Sequence, residues 1–136
     1  SDVFLLYSYK YFTMHELRIE PGRHTPEIVL NPEGHIRIKG RSIHENAEEF
    51  FEPVVKWVKT YIENPADVTV VDIKIEYFNS PSARALIRIL QKLVYVSVKN
   101  KKFVINWYYE EGDEDILERG EYFSSILSVP FNFIKL

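Results

Sequence analysis

The 136-residue sequence contains no cysteine. That excludes disulfides, thiol nucleophiles, iron–sulfur clusters and cysteine-ligated zinc together, and it removes any redox clue to compartment. Glycine is scarce as well, with five isolated residues at positions 22, 34, 40, 112 and 120. They form neither a Walker A loop nor a GxGxxG turn, and no GxSxG elbow is present. No run of about 18 apolar residues occurs, so no membrane-spanning helix is expected. The four histidines, His15, His24, His35 and His44, make no i,i+4 pair on a helix and meet no carboxylate at a metal-ligand spacing. They read as surface or turn residues. Neither sign of charge dominates. Seventeen basic residues against 20 acidic ones leave a net charge of −3, where a general nucleic-acid binder carries a basic balance.

The composition is that of a folded chain. Hydrophobic residues make up 46% and charged residues 27%, which places it outside the disordered class. The length predicts one domain, over residues 15–136. The N-terminal stretch SDVFLLYSYKYFT has no basic n-region and no long apolar core, so it is a poor signal peptide. Met14 is the only methionine. Residues 1–13 therefore read either as a non-native extension ahead of a translation start or as an extra strand, with Val3, Leu5 and Tyr7 on one face.

Hydrophobic spacing predicts the elements. Residues 15–20 form a short strand ended by Pro21-Gly22. Residues 27–30 and 35–39 form a hairpin around Asn31-Pro32-Glu33-Gly34. A helix over 46–63 carries Phe51, Val55, Val58 and Ile62 on one face. Asn46 with Glu49 is a start signal close to a capping box, Ser42 with Glu45 is a competing one, and Pro53 should kink the helix or move its start later. Residues 67–78 alternate as a strand, with Thr69, Val71, Ile73, Ile75 and Tyr77 on one face and Asp72, Lys74 and Glu76 on the other. A second helix is predicted over 81–96, with Pro81 at its first position and Ser80 as N-cap. A strand over 102–109, a helix over 114–126 and a strand over 131–134 complete the chain. Helices between successive strands imply crossovers, hence an α/β or α+β fold with a mixed sheet and helices mainly on one face.

Most polar clusters have a structural explanation. The acidic run Glu110, Glu111, Asp113, Glu114 and Asp115 lacks the residue order of a calcium loop and complements a helix N-terminus instead. Trp107-Tyr108-Tyr109 lacks the interleaved basic residues of a base-stacking platform. Asp72 and Glu76 are a conceivable acid/base pair, but they fit a solvated strand face. One segment has more chemical leverage. Asn79-Ser80-Pro81-Ser82-Ala83-Arg84 lies at a strand end and opens a helix, where sites tend to lie in α/β sheets. A phosphoryl group there would place about −2 charges on an exposed turn, beside amides that the helix leaves unpaired.

The sequence resembles the SiaC-type family of regulatory phosphoproteins, which are similar to bacterial anti-anti-sigma (STAS) domains. The residues that carry the match are Thr25-Pro26-Glu27-Ile28, Glu45-Asn46-Ala47, Phe51-Glu52-Pro53 and Trp57, then Tyr77-Phe78-Asn79-Ser80 through Leu86. Asn106-Trp107-Tyr108-Tyr109, Asp113 through Gly120 and Pro130-Phe131 complete it. The resemblance implies a STAS-like fold and a phosphoacceptor following Asn in the strand–helix turn, here Ser80, with Ser82 as the alternative. Anti-anti-sigma domains proper carry an Asp-Ser-Ser-Gly type turn, and this chain departs from it. Asn79 and Pro81 would shape the turn, and Arg84 would contact a partner or the phosphate. The resemblance further implies a non-enzymatic cytoplasmic switch, monomeric when free, with no cofactor or metal and no nucleic-acid or membrane partner. Its partners would be a protein kinase, a PP2C-like phosphatase and a target such as a diguanylate cyclase, linking it to cyclic di-GMP and biofilm control. The readings set against this one are a small-ligand-sensing domain and a small enzyme using Asp72, Glu76 or Asp113.

Overall fold

Turn chemistry builds the first half of the sheet. The computed structural model describes residues 14–136, so the expected extension over 1–13 lies outside the described residues. Strand β2 (Glu27–Asn31) pairs antiparallel with both β1 (Leu17–Ile19) and β3 (His35–Ser42). The β2–β3 turn closes with the Gly34 N–H donating to the Asn31 carbonyl at 2.9 Å. Gly34 holds φ = 110°, and a Cβ there would lie 2.1 Å from the Val68 carbonyl oxygen. Only glycine meets both conditions.

From β3 onward each strand but the last is followed by a helix. The elements are α1 (Ala47–Tyr61), β4 (Val68–Phe78), α2 (Ser80–Leu93), a single turn α3 (Tyr95–Val98), β5 (Lys102–Tyr109), α4 (Glu114–Leu127) and β6 (Asn132–Lys135). Strands β3 to β6 pair in parallel, giving the six-stranded order β1-β2-β3-β4-β5-β6. The fold is therefore the mixed α/β sheet expected. Ile36, Ile38, Val71, Ile73, Ile105 and Trp107 point from the sheet into a core shared with the helices. From α2, Leu86, Ile89, Leu90 and Leu93 are fully buried, each contributing roughly 1.5–3 kcal/mol relative to exposure. The opposite sheet face carries Glu27, Arg37, Lys39, Asp72, Lys74 and Asn106, which are exposed or half-buried.

Three local expectations are corrected. Tyr77 does not share the inward face of Val71, Ile73 and Ile75. The β3–β4 pairing passes from Gly40↔Ile75 to Arg41↔Tyr77, leaving Glu76 unpaired in a bulge. The extra residue reverses the alternation, so Tyr77 is 45% exposed and Phe78 is fully buried. Pro53 does not delay α1, which starts after Asn46 and runs through the proline. The Asn46 carboxamide oxygen accepts from the Glu49 N–H at 3.4 Å, and its nitrogen donates to the Glu49 carboxylate at 2.6 Å. That reciprocal side-chain pairing at the cap, with Phe51, Val54, Val55 and Val58 buried, outweighs the one hydrogen bond the proline removes. The helix expected over 81–96 ends at Leu93, and Tyr95–Val98 forms a separate turn.

Candidate functional site

Parallel strands bring their carboxyl ends to one edge, and the turn after β4 lies there. Ser42, the last residue of β3, sits opposite Phe78, the last of β4. The next residue, Asn79, anchors the turn. Its backbone N–H donates to the Ser42 carbonyl at 3.1 Å, and its side-chain nitrogen donates to the His44 carbonyl at 3.4 Å. Its side-chain oxygen accepts from the Ser82 N–H at 3.0 Å. Asn79 is therefore the N-cap of α2, not Ser80 as the sequence suggested. An extended backbone at Asn79, with φ −86° and ψ 176°, suits an N-cap. Ser80 and Pro81 become the first two helical residues.

This shift separates the two serines. Ser80 is exposed. Ser82 is completely buried, and its hydroxyl accepts from the Ser42 hydroxyl at 2.7 Å beneath the turn. The shift also changes the amides available at the start of α2. Of the four N–H groups that a helix start leaves unpaired, those of Asn79 and Ser82 are engaged and Pro81 has none. Only that of Ser80 is left without a hydrogen-bond partner among the described residues.

Beside the turn, the first turns of α1 and α2 enclose a groove of about 410 Å³. Phe51 and Pro81 contribute its apolar lining, Glu45 and Glu48 its acidic residues, and Arg84 and Arg88 its basic ones. Arg88 lies 3.9 Å from Glu48. Arg84 is exposed and, among the described residues, has no carboxylate within ion-pair distance. On the other flank, Arg119 of α4 donates to the Phe78 carbonyl at 2.9 Å and lies 4.6 Å over the Phe78 ring. Asp115, one turn earlier, is 3.5 Å from it. Sequence reasoning gave Arg119 no role at the turn. The i,i+4 spacing of Asp115 and Arg119 was visible, but nothing local shows that α4 packs over the end of β4.

The carboxylates considered for acid/base chemistry have separate settings. Asp113 caps α4, accepting from the Ile116 N–H at 3.1 Å. Glu76 is exposed at the bulge. Asp72 sits on the helix-free sheet face, where Asn106 donates to it at 2.9 Å, Tyr108 at 3.4 Å and the His35 ring at 3.0 Å. Burial, the largest single influence, raises its pKa. The Asn106 and His35 hydrogen bonds and the charges of His35 and Lys74 together outweigh it, so the carboxyl titrates below the ordinary 3.8. A depressed folded-state pKa gives stability that is present above the unfolded value and lost as pH falls through the folded one. Asp72→Asn is therefore expected to cost about 1 kcal/mol at pH 7. The difference should shrink below about pH 4. Urea midpoints at pH 7 and pH 3 measure both gaps, and equal gaps would rule out the carboxylate charge as the source.

Comparisons with known proteins agree with this architecture. Residues 19–136 match the model of the SiaC family regulatory phosphoprotein. An uncharacterized protein of Pseudomonas aeruginosa (strain UCBPP-PA14) is 28% identical over 119 residues, covering 87% of this chain and 94% of that protein. The solved structure of SiaC of Pseudomonas aeruginosa aligns with a TM-score of 0.76 at 25% identity, over 89% of this chain and 97% of that one. A second similar structure is that of diguanylate cyclase SiaD in complex with its activator SiaC, from the same organism. It aligns with a TM-score of 0.81 at 26% identity, over 88% of this chain and 99% of the matched chain. Among the described residues, no helix is long and apolar enough to cross a membrane.

Proposed function

The chain belongs to the SiaC family of regulatory phosphoproteins, and from that premise we propose that it is a non-enzymatic cytoplasmic switch read at Ser80. A partner kinase phosphorylates the Ser80 hydroxyl, and a PP2C-like phosphatase reverses the step. The unphosphorylated form binds and regulates a diguanylate cyclase. The observation that carries the assignment is the placement of Ser80. It is the exposed hydroxyl of the strand–helix turn, next to a groove of mixed charge, while the hydroxyl of Ser82 is enclosed.

The turn is held independently of the phosphoacceptor. Asn79 fixes it through three hydrogen bonds, and none uses the Ser80 hydroxyl. Phosphorylation therefore alters the charge of the surface without removing a contact that the fold depends on. Asn79 and Pro81 present the hydroxyl, and Arg84 stands one turn along α2 as a contact for the partner. The support for a cyclase partner is the complex of SiaD with its activator SiaC, whose matched chain shares this fold.

The test is direct binding. The unphosphorylated chain should form a complex with a diguanylate cyclase, read by calorimetry, and raise its output of cyclic di-GMP. Quantitative phosphorylation of Ser80 should weaken that complex at least tenfold, equivalent to about 1.4 kcal/mol. Equal affinity for both forms would overturn the switch.

A further inference from the structure

We propose that Arg84 is the residue that senses the Ser80 phosphate: it pairs with the phosphoryl group and in doing so leaves the groove between α1 and α2. The inference rests on the reading of Ser80 as phosphoacceptor and specifies how that site is read.

The starting point is what the helix end does not offer. A phosphate at a helix start normally gains several backbone N–H donors. Here Asn79 has engaged its own N–H and that of Ser82, and Pro81 supplies none. The phosphoryl group is left with the Ser80 amide and with side-chain cations. Residues four apart on a helix are neighbours, so Arg84 is one turn from Ser80 on the same exposed side of α2. Guanidinium and phosphate pair bidentately, with short charge-assisted bonds.

Of the other basic groups near the turn, Arg88, Arg119 and His44 have side-chain contacts, and Arg41 lies on a different face. Arg88 is two turns away and faces Glu48 at 3.9 Å. Arg119 donates to the Phe78 carbonyl, stacks on the Phe78 ring and faces Asp115. The His44 ring accepts from the Asn46 N–H at 3.0 Å. Arg41 pairs with Tyr77 in the β3–β4 ladder, so both project from the sheet face without helices. Arg84 is the cation that can move without breaking an ion pair seen among the described residues.

Moving it changes the groove. Arg84 and Arg88 on one wall balance Glu45 and Glu48 on the other. Phosphorylation adds about −2 charges at the groove mouth, and pairing with the phosphate takes Arg84 out of the wall. A partner carboxylate seated against Arg84 then loses its counter-charge and meets a dianion. Phosphate thus acts through one side chain, with no refolding of the domain.

The decisive measurement is a ³¹P NMR titration of the full chain carrying phosphoserine at position 80, installed by genetic encoding rather than by a kinase. The second phosphate ionisation lies near pH 6. In the native background it should fall about half a pH unit below that in Arg84→Gln, the size expected of an exposed ion pair. Arg84→Lys should restore most of the difference, and Arg88→Gln should titrate like the native chain. Coincident curves for the native and Arg84→Gln proteins, or a shift produced by Arg88→Gln instead, would overturn the pairing. In the unphosphorylated chain Arg84→Gln should weaken cyclase binding about fivefold, and unchanged affinity would overturn the role of Arg84 in the groove. Neither result depends on which serine a kinase selects, so failure here is distinct from failure of the Ser80 assignment.

Discussion

Ser80→Ala is expected to abolish phosphate incorporation by the cognate kinase while leaving the melting temperature nearly unchanged. Ser82→Ala is expected to do the reverse. The contrast comes from where the two hydroxyls lie. Ser80 is exposed at the first position of α2, and the cap that holds this helix start belongs to Asn79. Removing an exposed hydroxyl at such a position changes stability by less than about 0.5 kcal/mol. Ser82 is completely buried and bonded to the Ser42 hydroxyl at 2.7 Å. Its loss leaves a buried Ser42 hydroxyl without its partner, at a cost of about 1–3 kcal/mol. A kinase must also bring a phosphoryl donor in line with the attacking oxygen, and α2 would have to unwind to expose Ser82. Intact-mass analysis after kinase treatment, paired with thermal melts of both variants, separates the two. Full labelling of Ser80→Ala would sink the assignment, whatever the melts show.

The same shift of one residue shows how far the sequence could be read. Hydrophobic period and turn residues located each described strand and every described helix but the single turn α3 to within a few positions, because α1, α2 and β4 each carry a strong apolar pattern. The sequence favoured Pro81 as the first helical residue, since proline is well suited there. The structure places it second, because Asn79 makes three hydrogen bonds whose partners lie both within the turn and at the end of β3. Two of those partners, the Ser42 and His44 carbonyls, are more than thirty residues away in sequence, and no local rule weighs them. The bulge at Glu76 is similar. It is a property of the β3–β4 pairing, and the alternation of β4 gives no sign of it before Tyr77.

The site itself was legible as a segment but not as a surface. Asn79, Ser80, Pro81 and Arg84 are contiguous or one turn apart, so the strand–helix boundary marked them. The groove joins Glu45 and Glu48 to Arg84 and Arg88 across nearly forty positions, and only the side-by-side packing of α1 and α2 brings them together. Arg119 arrives from a third helix. Burial of Ser82 depends on a partner at position 42. Each of these is a tertiary fact, and each bears on how Ser80 is presented.

Gly120→Ala should destabilise the fold by about 2 kcal/mol even though alanine is the better helix former. Gly120 lies within α4 and needs no unusual backbone angle. Its constraint is proximity. A Cβ at this position would fall 2.6 Å from Nε1 and Cε2 of Trp107, which is fully buried. The indole cannot yield. Its Nε1–H donates to the Ile116 carbonyl at 3.0 Å, and its ring packs against Phe123 at 5.3 Å, Phe131 at 6.0 Å and Phe78 at 6.2 Å. The helix must therefore move outward. Overpacking costs about 1–3 kcal/mol, and with three unyielding ring atoms this close the upper end, about 3 kcal/mol, applies, less a propensity gain of about 1 kcal/mol. The expected fall in melting temperature is about 6–10 °C. Because α4 carries Arg119, which holds the Phe78 carbonyl at the base of the Ser80 turn, its displacement should also reach the proposed phosphoacceptor turn. A smaller ring relieves the contact. In a double-mutant cycle, Trp107→Phe with Gly120→Ala should be more stable than the sum of the two single losses, by at least about 0.5 kcal/mol. Strict additivity would show that the indole is not what excludes a side chain at position 120. A cycle that shows coupling would identify the close approach of α4 to the Trp107 indole on β5 as what reserves position 120 for glycine.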